Sequence, residues 1–421
     1  VRECLINNYS TGKSVLCTIQ IKNHMRWKFF NPDDESEAKT RQATLDSIHA
    51  WWKAFASRIQ TSSDLFHNRV EWDLRGWMHE HLHAINPNLM WEYGPAVNCR
   101  GHRLVITPES EHCLRPLVKT IIERAPSFSG WEFYQYRLSS SLNETQKVVM
   151  DATGIDISGW HCKAAIDAGN RIKLTYLISS NIKKDDEKTG AAFMTTEWLL
   201  GEELLDKWIG TIEVKPMPKS GILKIFSKAE TDNSKHIAEL NSIVNALIDG
   251  VKSMHPANPF YMYGENTTWS AIKLTPSELI DYPGRKDLFV ATTGLIDMWK
   301  SAHDGMYFSS ERFSGNDEVF CYIKIEHTDE FDGMDLEKRE EVENSLASVL
   351  HPIGAGGICG GGTGVRYCYI DLALLDPEKA IPLIIKTLRE ARVSQRSWIL
   401  FFDTELSQEW VGIYEKTPPP P

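Results

Sequence analysis

The chain contains no C-x-x-C pair. Its eight cysteines (Cys4, Cys17, Cys99, Cys113, Cys162, Cys321, Cys359 and Cys368) are scattered over 421 residues. This spacing excludes a zinc ribbon or a thioredoxin-type motif and reads as reduced, mostly buried thiols of a cytoplasmic protein. No run of eighteen apolar residues occurs, so no membrane-spanning helix and no membrane partner are expected. Basic residues are in deficit: 46 Lys and Arg against 57 Asp and Glu, a formal net charge of −11. That balance argues against nucleic acid as a partner. G-x-S-x-G is missing, and Ser139-Ser140-Ser141 lacks flanking glycines. No lysine precedes a Ser or Thr in the glycine-rich run Gly354–Gly364, so the Walker pattern is absent too. The acidic stretch holding Asp329, Glu330, Asp332 and Asp335 lacks EF-hand spacing. No motif forces a chemistry, and no cofactor is expected.

What is present is an ordinary globular composition, 42% hydrophobic and 24% charged, with 14 tryptophans. The length suits two or three domains. Residues 1–24 carry no useful period, Val15–Ile21 is too short for a signal segment, and Met25 opens a convincing sequence. Residues 1–24 are therefore expected to be an extension or disordered arm. Asp34–Gln60 predicts a helix with Leu45, Ile48, Trp52, Phe55 and Ile59 on its apolar face, and Asp64–Ile85 a second. Leu89–Ala96, His102–Thr107, a helix over Glu109–Arg124 and a strand over Gly130–Tyr136 follow as hairpin, helix, strand. A second hairpin spans His161–Asp167 and Arg171–Ser179. Ala191–Leu199 reads as a strand, Gly201–Trp208 as a helix and Thr211–Val214 as a strand.

The two prolines of Lys215–Ser220 mark the expected domain boundary, giving an N-terminal domain over 25–215 and a C-terminal one over 220–421. Beyond it, Ile222–Phe226, Ala271–Leu274 and Leu288–Thr292 read as strands, Ser234–Met254 as a helix and 300–317 as loop. Glu318–Ile325, Asp335–Leu350, a glycine-rich turn, Arg366–Leu375, Pro377–Arg392 and Ser397–Phe402 then run β-α-β-β-α-β, the ferredoxin-like order, over 319–413. Asp376-Pro377-Glu378 is a helix start by cap, first-turn proline and dipole. The run Pro418–Pro421 reads as an exposed polyproline tail. Pro116 to Trp131 and Pro382 to Trp398 echo one another, as an internal repeat would. The fold class is α+β: two halves, each with a mixed or antiparallel sheet covered by helices.

The sharpest chemical candidate is His79-Glu80-His81-Leu82-His83, a literal H-E-x-x-H. In zinc proteases two histidines four apart bind the metal from one helix face with the adjacent Glu as general base, roles that would fall here to His79, His83 and Glu80. The helical phase sets His79 and His83 opposite Val70, Leu74, Met78, His81 and Ile85, taken as core. Against it, Asn86-Pro87 ends the helix and no third ligand is apparent, so a solvated face is the plainer reading. The remaining histidines are dispersed. Cys359 has no basic neighbour in sequence and reads as inert.

Asn88–Gly94 with His102–Pro108, Gly130–Arg137, and Gly360–Gly412 with the closing prolines together resemble a bacterial family of uncharacterised, domain-of-unknown-function proteins. The resemblance implies a cytoplasmic bacterial protein of unassigned activity and carries over no site residues. The expected function is non-enzymatic binding of another protein, of regulatory or immunity type. A metal-dependent hydrolase built on His79, Glu80 and His83 is the rival.

Overall fold

The computed structural model describes residues 26–179, 185–217, 234–263, 266–279, 281–328 and 336–421. Helix α1 (Glu35–Phe66) has 32 residues, about 48 Å of helix. Asp34 caps it by accepting the N–H groups of Ser36 and Glu37. It continues past Gln60 because the polar turn that follows buries Ser62 against the core. Helix α2 (Leu74–Leu82) starts after Asp73, whose carboxylate accepts the Gly76 N–H at 2.8 Å. The expected start at Asp64 is wrong by ten residues. Val70, read as core, is 38% exposed and lies between the helices.

Strands β1 (Met90–Pro95) and β2 (His102–Thr107) form a hairpin, helix α3 (Arg115–Glu123) crosses over, and β3 (Trp131–Tyr134) returns parallel to β2. Helices α1, α2 and α3 bury one face of this sheet in a core that includes Ile48, Trp52, Met78, Leu104 and Ile121.

The same plan repeats. After α4 (Leu142–Thr153), β4 (His161–Ile166) and β5 (Ile172–Ile178) form a hairpin. Helices α5 (Asp185–Leu200) and α6 (Glu202–Trp208) cross over to β6 (Ile209–Pro216), parallel to β5. Ser141, from the serine run, caps α4 in a capping box with Glu144. The expected strand at Ala191–Leu199 is part of helix α5. Thr195 and Thr196 donate back to the Ala191 and Ala192 carbonyls, and burial of Ala191, Ala192, Thr195, Thr196, Trp198 and Leu199 removes the polar face that signals a helix. Strand β7 (Lys235–His236) and helix α7 (Leu240–Met254) complete this sheet, in order β6-β5-β4-β7. Leu240, Val244 and Val251 share its core with Trp160 and Tyr176. Strand β7 and helix α7, which follow Lys215–Ser220 in the chain, thus share a sheet and a core with β4 and β5. The expected strand Ile222–Phe226, residues 1–24 and the acidic stretch 329–335 lie outside the described residues.

The third sheet joins β8 (Ser270–Lys273), β9 (Leu288–Thr293), β10 (Val319–Glu326), β11 (Gly356–Gly364), β12 (Tyr367–Leu374), β13 (Ser397–Phe401) and β14 (Trp410–Gly412). Helices α8 (Ile296–Ala302), α9 (Leu336–Leu350) and α10 (Pro377–Glu390) connect them. The order is β14-β13-β10-β12-β11-β9-β8, with antiparallel neighbours throughout. The elements β10-α9-β11-β12-α10-β13 follow the expected β-α-β-β-α-β succession, as the middle of a seven-stranded sheet. The Pro116/Pro382 echo maps onto α3–β3 and α10–β13. However, β10 separates β12 from β13, where β2 and β3 are neighbours, and Pro382 lies inside its helix.

Helices α9 and α10 cover one face of this sheet; Ile323, Leu346, Ile370 and Ile384 pack there. The other face is aromatic, with Tyr322, Tyr367, Tyr369 and Trp398 beneath Trp299. Segment 300–317, expected as loop, ends α8 and buries Phe308, Arg312 and Phe313 over that face. The glycine run is itself a strand rather than a turn. A β-carbon at Gly364 would overlap the Asp287 carboxylate, and one at Gly360 would lie 2.8 Å from the Thr292 carbonyl. The closing segment is docked rather than free: Trp398 donates its indole N–H to the Pro418 carbonyl at 2.6 Å, and Thr417 is buried.

Charged side chains tie the three sheets together. Arg115 bonds Glu202 and Asp206 across to α6, and Arg137 bonds Glu109 and Glu197. Tyr136 and Tyr307 both donate to Glu405 Oε1, at 2.7 and 2.8 Å. Glu409 accepts the consecutive backbone N–H groups of Trp27, Lys28 and Phe29 at 2.7–2.9 Å, stapling the start of the described chain to β14.

Candidate binding site

The structure brings His79 and His83 together: their ring centroids lie 4.3 Å apart, one turn from each other on α2. Glu80 extends into solvent, with 79% of its side chain exposed. His83 Nε2 donates to the Leu89 carbonyl at 2.9 Å, and burial lowers its pKa. His81 stacks on Trp77 and donates from Nδ1 to the Trp77 carbonyl. Among the described residues, no group of three or more His, Cys, Asp and Glu side chains is placed to hold a metal ion. The pairing read from the i, i+4 spacing is present, whereas the third ligand that a zincin needs is not brought to it. Burial pushes the Cys359 thiol well above its ordinary range, so this cysteine is a core side chain. No helix among the described residues is long and apolar enough to cross a membrane.

A buried polar cluster lies on the aromatic face of the large sheet. Arg285 Nη1 bonds Asp371 Oδ1 at 2.6 Å, with the two side chains 3% and 0% exposed. Arg285 Nε and Nη2 have no hydrogen-bond acceptor. They lie against rings, since the guanidinium sits 5.0 Å from the Tyr369 centroid and 5.3 Å from that of Tyr322. Tyr369 donates to Asp287, which also accepts the N–H groups of Arg366 and Tyr367. Lys324 bonds the Tyr282 carbonyl beneath Tyr367, and burial holds its pKa down at about 8. Solvent does not reach these unpaired atoms, so the cluster organises the sheet and offers no ligand an opening.

An open groove of about 590 Å³ lies elsewhere, along α1. Leu45, Ile48, His49, Trp52, Lys53 and Ala56 line one wall. Their spacing of three and four makes them a single stripe of the helix. Arg124, Pro126 and Phe128, just past the end of α3, form the other wall. The walls are pinned to each other. Trp52 donates its indole N–H to the Ile121 carbonyl at 2.9 Å. Phe128 packs on Phe55 and Phe133, with centroids 6.0 and 6.1 Å away. The Arg124 N–H closes α3 onto the Thr120 carbonyl.

The groove combines an apolar floor with a cationic rim. Ile48 and Trp52 are buried at its base, and Leu45 and Phe128 are half-buried. His49, Lys53 and Arg124 are exposed, and none is paired with a carboxylate among the described residues. Just beyond lies Arg41, 4.2 Å from the Phe30 ring centroid, its pKa lowered first by burial and then by the charge of Arg124. An unpaired cationic cluster around apolar surface runs against the overall charge of −11. Sequence reasoning placed Leu45, Ile48 and Trp52 on a buried stripe. It missed the groove because the second wall comes from residues 124–128, and nothing local in α1 announces them.

No family model, no curated protein and no solved structure matches this chain.

Proposed function

We propose that the chain is a non-enzymatic binding protein of the cytoplasm, of regulatory or immunity type, that receives its partner in the α1 groove. One observation carries this reading: unpaired Lys53 and Arg124 border an open groove of about 590 Å³, with half-buried Leu45 and Phe128 in its walls, on an otherwise acidic molecule. Contiguous apolar surface with a polar rim is what an interaction site presents. The six cysteines of the described residues are free thiols, which suits a reducing compartment. The rival hydrolase reading rests on the His79–His83 pair, to which no third ligand is brought among the described residues.

The anionic, apolar dye 1-anilinonaphthalene-8-sulfonate tests the groove directly. The full chain should bind it saturably with enhanced fluorescence, and Lys53→Glu/Arg124→Glu should abolish that binding without altering far-ultraviolet circular dichroism. Dye binding unchanged in the folded variant would remove the groove as the binding site.

A further inference from the structure

We infer that the occupant of the groove is an acidic amphipathic helix of a partner protein. This rests on the groove being the binding site, and it specifies the chemistry the groove takes. Leu45, Ile48/His49, Trp52/Lys53 and Ala56 rise along α1 one turn at a time, a length of about 17 Å from Leu45 to Ala56. A second helix laid alongside presents side chains with the same 5.4 Å repeat, so each of its turns meets one floor residue. Its apolar stripe covers Leu45, Ala56, Pro126 and Phe128, the half-buried and exposed apolar side chains of the lining, the usual arrangement of a helix in a groove. The cations flank that stripe on both sides, Lys53 from α1 and Arg124 from the facing wall. Carboxylates bordering the stripe on both edges complement them.

Two other occupants fit the charge less well. Residues 1–25 of this chain carry Arg2, Lys13 and Lys22 against the single acid Glu3, the wrong sign for a cationic rim. A basic helix, of the kind that binds membranes or nucleic acid, would bring like charge to Arg124 and Arg41, which already repel one another.

The test is a fluorescence-anisotropy titration of the full chain with three labelled helical peptides of one length. The first carries leucines at i, i+3, i+7 and i+11 flanked by glutamates. The second replaces every Glu by Lys, and the third replaces every Leu by Ser. The first peptide should bind and the other two should not. Lys53→Glu/Arg124→Glu should weaken it about thirtyfold, because two attractions become two repulsions. Raising salt from about 0.1 M to about 1 M, which shortens the screening length from about 10 to about 3 Å, should weaken it as well. Equal binding of the lysine peptide would overturn the inference. So would competition by palmitate in place of the peptide. If no peptide binds while the anionic dye still does so in a manner dependent on Lys53 and Arg124, the acidic-helix inference falls and the groove remains a binding site. If dye binding also ignores those residues, both fall.

Discussion

Replacing Asp371 by Ala should be among the most destabilising single changes in the large sheet. The carboxylate is wholly buried and holds Arg285 Nη1 at 2.6 Å. Its loss adds a third unpaired guanidinium nitrogen to the two that already lack acceptors. The Tyr369, Tyr322 and Phe402 rings, 5.0, 5.3 and 5.7 Å away, are then what faces the charge. Removing one partner of a buried ion pair costs about 3–5 kcal/mol, and the ring contacts, present in parent and variant alike, do not replace the lost carboxylate. Arg285→Met should behave differently. It leaves an acid whose pKa burial already raises. A folded-state pKa above the unfolded one gives stability that is full at low pH and is lost as pH rises through the folded value. The Arg285→Met defect should therefore be small near pH 4 and grow towards neutrality, while the Asp371→Ala defect, which removes the titrating group, should be largest at acid pH and shrink as pH rises. The double replacement Arg285→Met/Asp371→Leu should cost less than the sum of the singles by about 3 kcal/mol, because no charge remains unpaired. Hydrogen exchange of β12 peptides reports the opening free energy of this sheet without requiring the whole chain to unfold in one step. Strictly additive singles, or an Asp371→Ala cost below about 1 kcal/mol, would refute the reasoning, since that is the scale of an ordinary surface change.

Glu409→Ala should release residues 26–30 from β14, because three consecutive N–H groups lose their acceptor. At about 1 kcal/mol per partly buried donor the loss is roughly 3 kcal/mol, visible as a trypsin-sensitive site at Lys28 that the parent lacks. Asp403 is pushed up to about 6, chiefly by burial and against hydrogen bonds from Ser310. Its contribution is thus full below the ordinary 3.8 and lost as pH rises to about 6, on the order of 2–3 kcal/mol. Asp403→Asn should flatten that part of the melting temperature against pH, and an unchanged profile would dismiss the assignment. Zinc should raise the melting temperature of the full chain no more than that of His79→Ala/His83→Ala, since His83 Nε2 is committed to Leu89. A stabilisation by zinc that the variant loses would revive the hydrolase reading.

The large sheet was legible because its signals are local. Asp376, Pro377 and Ile381–Leu388 announce α10, and Ser397–Phe402 announces β13, with caps and apolar runs that tertiary context did not override. Where burial is complete the pattern vanishes: α5 has no polar face to reveal its period, and its threonines imitate a strand. Within segment 300–317, residues 308–314 are largely buried although polar residues abound, and Arg312 spends donors there on the Lys207 and Tyr307 carbonyls, contacts that no periodicity encodes. The closing prolines were read as exposed because the donor that fixes them, Trp398, lies twenty residues upstream. At the candidate site the α1 stripe could be read, but the groove could not. Its cations lie on two elements whose approach depends on Trp52 reaching the Ile121 carbonyl, 69 residues away.

The central claim, that a partner sits between α1 and residues 124–128, is tested most directly by a photoreactive amino acid introduced at Ala56 in the full chain. A matched control carries the same group at Val97, which is exposed at 58% outside the groove. The account predicts a discrete adduct from Ala56 in native extract, formed with an acidic helical segment, absent from the Val97 control and lost in the Lys53→Glu/Arg124→Glu background. Equal labelling from both positions, or an Ala56 adduct that survives charge reversal, would contradict it.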